Sequence, residues 1–182
     1  QESRGLGDVY KRQVITTLLF CPALFSADEN EEITEEQWKS FFPFAHSIEP
    51  LEGLKPHEKA YVVKSANGEI NGWIFRTDQI DPQIKGQVDQ ICAVVGLSVE
   101  GKVLGINIIK HKETPAYFQK LTKTFFKQFE GHPADSSLNK IDAVTGATRS
   151  SSAIIRDVAA AVKALLQNPN VKIKPQENRT EK

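Results

Sequence analysis

The chain has 182 residues, with 23 basic and 23 acidic side chains and a formal net charge of zero. Its 11 glycines, 9 prolines and 25% of charged residues are ordinary for a globular protein and exclude collagen-like, coiled-coil and wholly disordered chains. A balanced charge without a dense basic stripe also argues against nucleic acid as a partner, because such binding needs clustered Lys and Arg. The length fits one domain.

Metal-binding residues are few and scattered. Two cysteines, Cys21 and Cys92, cannot supply the ligands of a zinc finger or an iron–sulfur cluster. The histidines show no tight ligand spacing; they are His46, His57, His111 and His132. We therefore predict no metal site.

Residues 1–33 are predicted to be a leader. The sequence contains no Met, and residues 1–13 share no apolar periodicity with the residues after them, so we interpret them as a truncated or foreign start. The apolar run VITTLLFCPALFSA, residues 14–27, comes after Lys11 and Arg12 and is typical of a signal peptide. The run is shorter than the roughly 20 residues that span a bilayer. We expect export to the periplasm or cell surface, with a membrane anchor at residues 14–27 as the alternative.

A short helix and a loop are predicted next. Thr34 and Gln37 have the spacing of a capping box, and Pro43 comes after the apolar residues that would form the face of the helix. Residues 45–58 lack periodicity and are predicted to be a loop.

Two β-hairpins are predicted between residues 60 and 111. The Asn67-Gly68 dipeptide favours a tight turn between strands at residues 60–65 and 70–76. The β-branched runs ICAVVGLS and VLGINIIK, joined at Glu100-Gly101, predict a second hairpin that ends at His111.

Two main helices are predicted after the hairpins. Residues 116–130 carry apolar side chains at helical intervals, and a second helix is expected to begin at Ser150 and to present one apolar face. Residues 132–140 are predicted to be a polar loop, and residues 169–182 a frayed polar tail. These elements predict a single α+β domain whose mostly antiparallel sheet is built from β-hairpins and packs against the two helices.

The segment IDAVTGATRSSSA, residues 141–153, can support chemistry. Thr145, Gly146, Ala147 and Thr148 place two hydroxyls and an approachable backbone just before a helix N-terminus, which suits an anion such as a phosphate. A turn of this composition also caps a helix without any ligand, and the residues alone leave that alternative open.

Three ordered segments resemble the bacterial FMN-binding domain family. DAVTGATRSS, residues 142–151, resembles the flavinylation motif D-G-x-[ST]-G-A-T. GLSVEGKVLGINIIKHKETP, residues 96–115, is similar to the family's hairpin ending in H-x-E-T-P, and FFKQFEG, residues 125–131, is similar to the helix between the two motifs. The family includes the G subunit of the Rnf complex, the C subunit of sodium-translocating NADH:quinone reductase and the nitrous-oxide-reductase regulator.

The resemblance covers about residues 58–168 and divides the chain into four parts. Residues 1–33 are the leader, residues 34–57 the N-terminal helix and loop, residues 58–168 the FMN-binding domain and residues 169–182 the tail.

The resemblance implies that FMN is attached to Thr148 through a phosphoester bond. A separate FAD:protein FMN transferase, which uses FAD and a magnesium ion, makes that bond, so this chain is expected to be its substrate. Glu113 and Thr114 are expected to hydrogen-bond the edges of the flavin ring, although a solvated charge is the alternative for Glu113. The implied cofactor-binding residues are Thr148, Asp142, Thr145, Gly146, Ala147, Ser150, His111, Glu113, Thr114 and Pro115.

The chain departs from the family pattern at three places. Ala143 replaces a usual Gly, Ala116 replaces a glycine-containing turn, and IKGQVDQI, residues 84–91, replaces a stretch with Tyr. Trp73 and Tyr117 are candidates for the missing aromatic partner of the flavin, and core packing is the alternative for both.

We therefore expect an exported electron-transfer flavoprotein with no catalytic residues of its own, which exchanges electrons with a membrane or periplasmic redox protein. Three alternatives remain open: a module that binds phosphate or flavin non-covalently, a subunit with the fold but without flavin, and a flavin-dependent reductase of a small substrate.

Overall fold

The structure, a computed structural model, describes residues 32–80, 91–121 and 123–174. The predicted signal segment at residues 14–27 lies outside the described residues, as do most of the IKGQVDQI stretch and residues 175–182 of the predicted tail.

Five strands form one antiparallel sheet in the order β1-β2-β3-β4-β5. Their bounds are Ser47–Pro50 for β1, Ala60–Lys64 for β2, Ile70–Arg76 for β3, Cys92–Ser98 for β4 and Val103–Lys110 for β5. The predicted α+β class and both predicted hairpins are confirmed. Gly68 and Gly101 occupy the turns with φ of 82° and 73°, a backbone region that glycine enters without steric cost.

Strand β1 corrects the prediction of a loop over residues 45–58. It pairs with β2 in antiparallel register, Ser47 opposite Lys64 and Pro50 opposite Tyr61. Because proline has no N–H to give to a ladder, it is tolerated at the edge of a sheet, where β1 lies. A four-residue strand that contains Pro has almost no strand pattern of its own. It could therefore not be predicted without knowing that it pairs with β2.

Helices flank the sheet. They are α1 (Glu35–Phe41), α2 (Pro115–Phe118), α3 (Lys123–Lys127) and α4 (Thr148–Leu166), with 3₁₀ turns over Thr77–Gln79 and Ser136–Lys140. The capping box of α1 is present: Thr34 Oγ1 accepts from Gln37 N at 3.3 Å, and Gln37 Oε1 accepts from Thr34 N at 2.9 Å.

The prediction of one helix over residues 116–130 is wrong. The amides of Lys120 and Leu121 bond to carbonyls three residues back, at 3.1 and 2.9 Å, and this tighter turning ends α2. The apolar stripe is nevertheless buried, because Leu121, Phe125 and Phe129 all enter the core.

Two further expectations are corrected near the C-terminal end. The predicted loop over residues 132–140 contains the second 3₁₀ turn. The predicted frayed tail is packed as far as residue 174: the Asn170 side chain donates to Glu52 O at 2.9 Å, Val171 is buried, and Lys174 N donates to Val99 O at 2.8 Å.

The two faces of the sheet carry different partners, because successive strand residues point to opposite sides. Trp73, Phe75 and Val95 belong to the cluster that includes the apolar face of α4, whereas Ile74 and Val94 pack with Trp38 of α1. The phenylalanines of residues 125 and 129 belong to the α4 cluster. Leu121, Phe125 and Phe129 therefore lie on the same side of the sheet as α4.

Candidate functional site

Thr148 is the first residue of the 19-residue helix α4, two positions before the predicted start. Its side chain is exposed, and Oγ1 donates to Val144 O at 3.3 Å. Ala147 is the N-cap and makes no side-chain capping bond, and the first turn of α4 contains no acidic residue. A hydroxyl therefore stands at the positive end of a long helix dipole, with the first-turn amides facing the same end.

The turn before α4 is fixed by Ser151. Its buried hydroxyl accepts from Val144 N at 2.9 Å and donates to Ala147 O at 2.9 Å. Gly146 has a φ of 78°, which only glycine adopts without strain. Ser151 was not predicted as a site residue. The feature of the sequence that could have indicated it is its position in the serine run after Arg149.

Lys120 contacts this turn from the end of α2. Its Nζ donates to Gly146 O at 3.3 Å and lies 5.6 Å from the centroid of the Tyr117 ring. A Cβ on Gly146 would lie 2.9 Å from the same Nζ. Lys120 was also missed, since a lysine on the polar face of an amphipathic stretch carries no signal of its own.

Gln128 holds the start of the motif. Its Oε1 accepts from Asp142 N at 3.1 Å, and its Nε2 donates to Asp142 O at 3.3 Å. One amide side chain thus satisfies both backbone groups of Asp142, while the Asp142 and Thr145 residues stay exposed. Gln128 is a third residue that the sequence did not reveal.

Glu113 is buried, with 4% of its surface exposed, and accepts a hydrogen bond from the hydroxyl of Ser150, itself 1% exposed. The alternative of a solvated surface charge at Glu113 is therefore wrong. The carboxylate ties the H-x-E-T-P segment to the first turn of α4, so the two segments that the motifs single out lie together.

The other residues of the H-x-E-T-P segment are placed differently. The His111 ring stacks on Phe118, with centroids 3.5 Å apart and an interplanar angle of 13°. Its Nδ1 is buried and has no hydrogen-bond partner among the described residues. Thr114 and Pro115 are exposed and start α2 as its N-cap and first residue.

The two candidate aromatic partners differ in exposure. Trp73 is 1% exposed and lies in the core between the sheet and α4, so it cannot stack on a ligand at the surface. Tyr117 is 43% exposed. The residues over 81–90 that were expected to depart from the family pattern lie outside the described part of the chain.

Two kinds of feature are absent from the described residues. No group of three or more His, Cys, Asp or Glu side chains there could hold a metal ion. Within the same residues, no helix combines the length and apolar character needed to cross a membrane.

Comparisons with known proteins found matches to the part of the chain that contains these residues. Residues 86–163 match the family described as FMN-binding domain, and the match includes both the H-x-E-T-P segment and residues 142–151. The G subunit of the Na(+)-translocating ferredoxin:NAD(+) oxidoreductase complex of Acetobacterium woodii is 31% identical over 121 residues, which are 59% of this chain and 56% of the relative. The G subunit of the ion-translocating oxidoreductase complex of Methanosarcina acetivorans is 29% identical over 144 residues, 72% of this chain and 74% of the relative.

The chain thus spans little more than half the length of the Acetobacterium relative. Among solved structures, NqrC of Shewanella oneidensis has a TM-score of 0.45 and 14% sequence identity, over 68% of this chain and 72% of NqrC.

Proposed function

We propose that this chain, whose residues 86–163 match the FMN-binding domain family, is an electron-transfer flavoprotein that carries FMN on Thr148 through a phosphoester bond. The observation that supports the proposal most is the position of Thr148. Its exposed hydroxyl begins α4 inside the segment that resembles the flavinylation motif.

The residues around Thr148 fit a phosphate diester. The first-turn amides and the helix dipole favour negative charge, and no acidic side chain of that turn opposes it. Arg149 is exposed beside the acceptor, and the Lys120 ammonium lies at Gly146. The Glu113 carboxyl group is buried and accepts a hydrogen bond from the Ser150 hydroxyl.

Attachment is a phosphoryl transfer in which the chain supplies only the nucleophile. Oγ1 of Thr148 forms a bond to the FMN phosphorus of FAD, the pyrophosphate bond breaks, and AMP leaves with the bonding electrons while the hydroxyl proton goes to a base of the transferase. The Thr148 hydroxyl gives up its hydrogen bond to Val144 O for this attack. Gly146 leaves room for the enzyme because it is exposed and carries no side chain, whereas the methyl group of Ala147 is buried in the core.

Bound FMN supplies one- and two-electron redox chemistry, and the protein positions the ring and exposes it to partners. The Acetobacterium and Methanosarcina relatives are named as subunits of ion-translocating oxidoreductase complexes. We assign this chain the same kind of role, an FMN-bearing subunit that exchanges electrons with redox proteins of a membrane complex.

We also propose that the chain is exported, which fits that role. The apolar run of residues 14–27 with its preceding Lys11 and Arg12 favours transfer across the membrane or anchoring in it. We propose that residues 32–174 act at the periplasmic or outer surface of the cell.

A module that binds phosphate or flavin non-covalently is the second candidate. The N-terminal end of helix α4, which has no side-chain cap, favours an anion with or without a covalent bond. Such a module would lose its ligand on denaturation. A flavin-dependent reductase would instead turn over a small substrate with an artificial electron donor.

Two variants at one position test the proposal. The unmutated chain, Thr148→Val and Thr148→Ser are each co-expressed with an FAD:protein FMN transferase, denatured in urea, desalted and examined for flavin absorbance. We expect flavin in the unmutated chain and in Thr148→Ser, which keeps the nucleophile, and none in Thr148→Val. Circular dichroism checks that all three fold. Flavin retained by denatured Thr148→Val would overturn the proposal, and flavin lost from every chain would favour the non-covalent module.

A further inference from the structure

Exposed aromatic side chains are rare in the described part of the chain. Phe44 is 94% exposed and Tyr117 is 43% exposed. The others are buried or partly buried, and the ring of Phe118 is already stacked on His111.

The two exposed rings lie on different sides of the sheet. Phe44 comes after α1, whose side chains pack on the face of Ile74 and Val94. Tyr117 belongs to α2, which is continuous with the H-x-E-T-P segment that Glu113 holds against the first turn of α4. Tyr117 is therefore the exposed aromatic side chain near the acceptor threonine.

Lys120 connects Tyr117 to the acceptor turn. Its Nζ lies 5.6 Å from the Tyr117 ring centroid and also donates to Gly146 O at 3.3 Å. The Lys120 ammonium group therefore contacts both the Tyr117 ring and Gly146, which is two positions before Thr148. A ribityl chain starting at the phosphate on Oγ1 can place the flavin ring over such a neighbour.

From this geometry we infer that Tyr117 is the stacking partner of the flavin ring, an inference that rests on the proposed attachment of FMN to Thr148. Flat aromatic rings gain from offset stacking, and a tyrosine that is 43% exposed has ring surface to offer.

Flavin fluorescence reports this contact directly. A phenol stacked on the ring quenches the emission, because it gives an electron to the excited ring and then takes it back, whereas the phenyl ring of Phe is too hard to oxidise to do so. We expect the emission yield of the flavin-bearing chain to rise several-fold in Tyr117→Phe and in Tyr117→Leu. Tyr61→Phe is the matched control, since Tyr61 lies with the α1 cluster on the other face of the sheet.

The comparison uses full chains that were co-expressed with the transferase and whose intact mass shows one bound FMN. An emission yield that is the same in the unmutated chain, Tyr117→Phe and Tyr117→Leu would overturn the stacking assignment while leaving FMN on Thr148. A rise in Tyr61→Phe equal to that in Tyr117→Phe would also overturn it. If no chain carries FMN, the proposed attachment fails and the stacking fails with it.

Discussion

The hydroxyl of Ser150 donates a hydrogen bond to the carboxylate of Glu113, and both side chains are buried although 37 residues separate them in the sequence. The bond joins the loop after β5 to the first turn of α4, where Ser150 is two residues after the acceptor Thr148. Positioning of that hydroxyl therefore depends on a buried polar pair, whose members are costly to leave without partners.

Removing the Ser150 hydroxyl tests this pair. Ser150→Ala deprives a buried carboxylate of one donor, so we expect the free energy of unfolding to fall by about 1–3 kcal/mol. Urea unfolding followed by circular dichroism measures it. Ser152→Ala removes a hydroxyl from a less buried site of the same helix and is expected to change little. Equal losses in the two variants would mean that the bond to Glu113 contributes nothing specific.

Gly146 and Gly68 offer a matched pair for the acceptor turn. Their φ values are 78° and 82°, so alanine at either position is expected to cost roughly 1–2 kcal/mol of stability. A Cβ at Gly146 also lies 2.9 Å from Lys120 Nζ, whereas nothing lies within 4 Å of a Cβ at Gly68. We expect Gly146→Ala alone to slow FMN transfer, measured as flavin incorporated over time by purified transferase. Equal rates for the two variants would exclude a role of this turn in transfer.

Gln128 is expected to matter for both stability and transfer. Gln128→Ala removes two hydrogen bonds to the backbone of Asp142, at a cost of about 0.5–1.5 kcal/mol each. The loosened motif should accept FMN more slowly in the same incorporation assay. Gln119→Ala, at an exposed position at the end of α2, is the control and should behave like the unmutated chain. An unchanged transfer rate for Gln128→Ala would show that Asp142 needs no such support.

Cys92 is predicted to be an unreactive thiol in the folded chain. Burial raises its pKa to about 12, and the Asp78 carboxylate, which accepts from Sγ at 2.9 Å, adds to the shift against the opposing charge of Arg76. Because the thiolate is the reactive form, the Cys21→Ser variant at pH 8 should react with iodoacetamide roughly a thousandfold more slowly when folded than in urea. Comparable rates in the two states would contradict the burial of this thiol.

The same shift gives a pH dependence of stability. The thiol of the unfolded chain ionises near its ordinary pKa of 9.0, while the folded chain keeps its proton until about pH 12. Its contribution to stability is therefore complete below pH 9 and is lost as the pH rises toward 12. The difference in unfolding free energy between the parent chain and Cys92→Ala should shrink over that range, as measured by urea unfolding at several pH values.

Short sequence patterns correctly predicted the parts of this fold that depend on neighbouring residues, above all the two hairpin turns. Asn67-Gly68 and Glu100-Gly101 located both hairpin turns, since tight turns need particular residues at their tips. Strand β1 was not predicted, because Ser47–Pro50 is short and is held in the sheet by its pairing with β2. The break between α2 and α3 was not predicted for a different reason. Leu121, Phe125 and Phe129 have helical spacing in the sequence, although the amides of Lys120 and Leu121 bond to carbonyls three residues back and so end α2.

The residues of the site also form two groups, those that the sequence predicts and those that only the folded chain brings together. Thr148 and its small neighbours are contiguous and could be found from the motif and from the helix that it begins. Lys120, Gln128 and the bond between Glu113 and Ser150 depend on how the chain returns to α4, and side-chain contacts over such separations leave no mark in one sequence.

Intact mass spectrometry of the denatured chain is the decisive experiment for a bond between FMN and Thr148. The full chain is co-expressed with an FAD:protein FMN transferase that is active on another substrate, purified, denatured and weighed, and its peptides are then mapped. We expect an added mass of one FMN less one water, located on the peptide that contains Thr148. An unmodified mass, or the added mass on a peptide without Thr148, would contradict it.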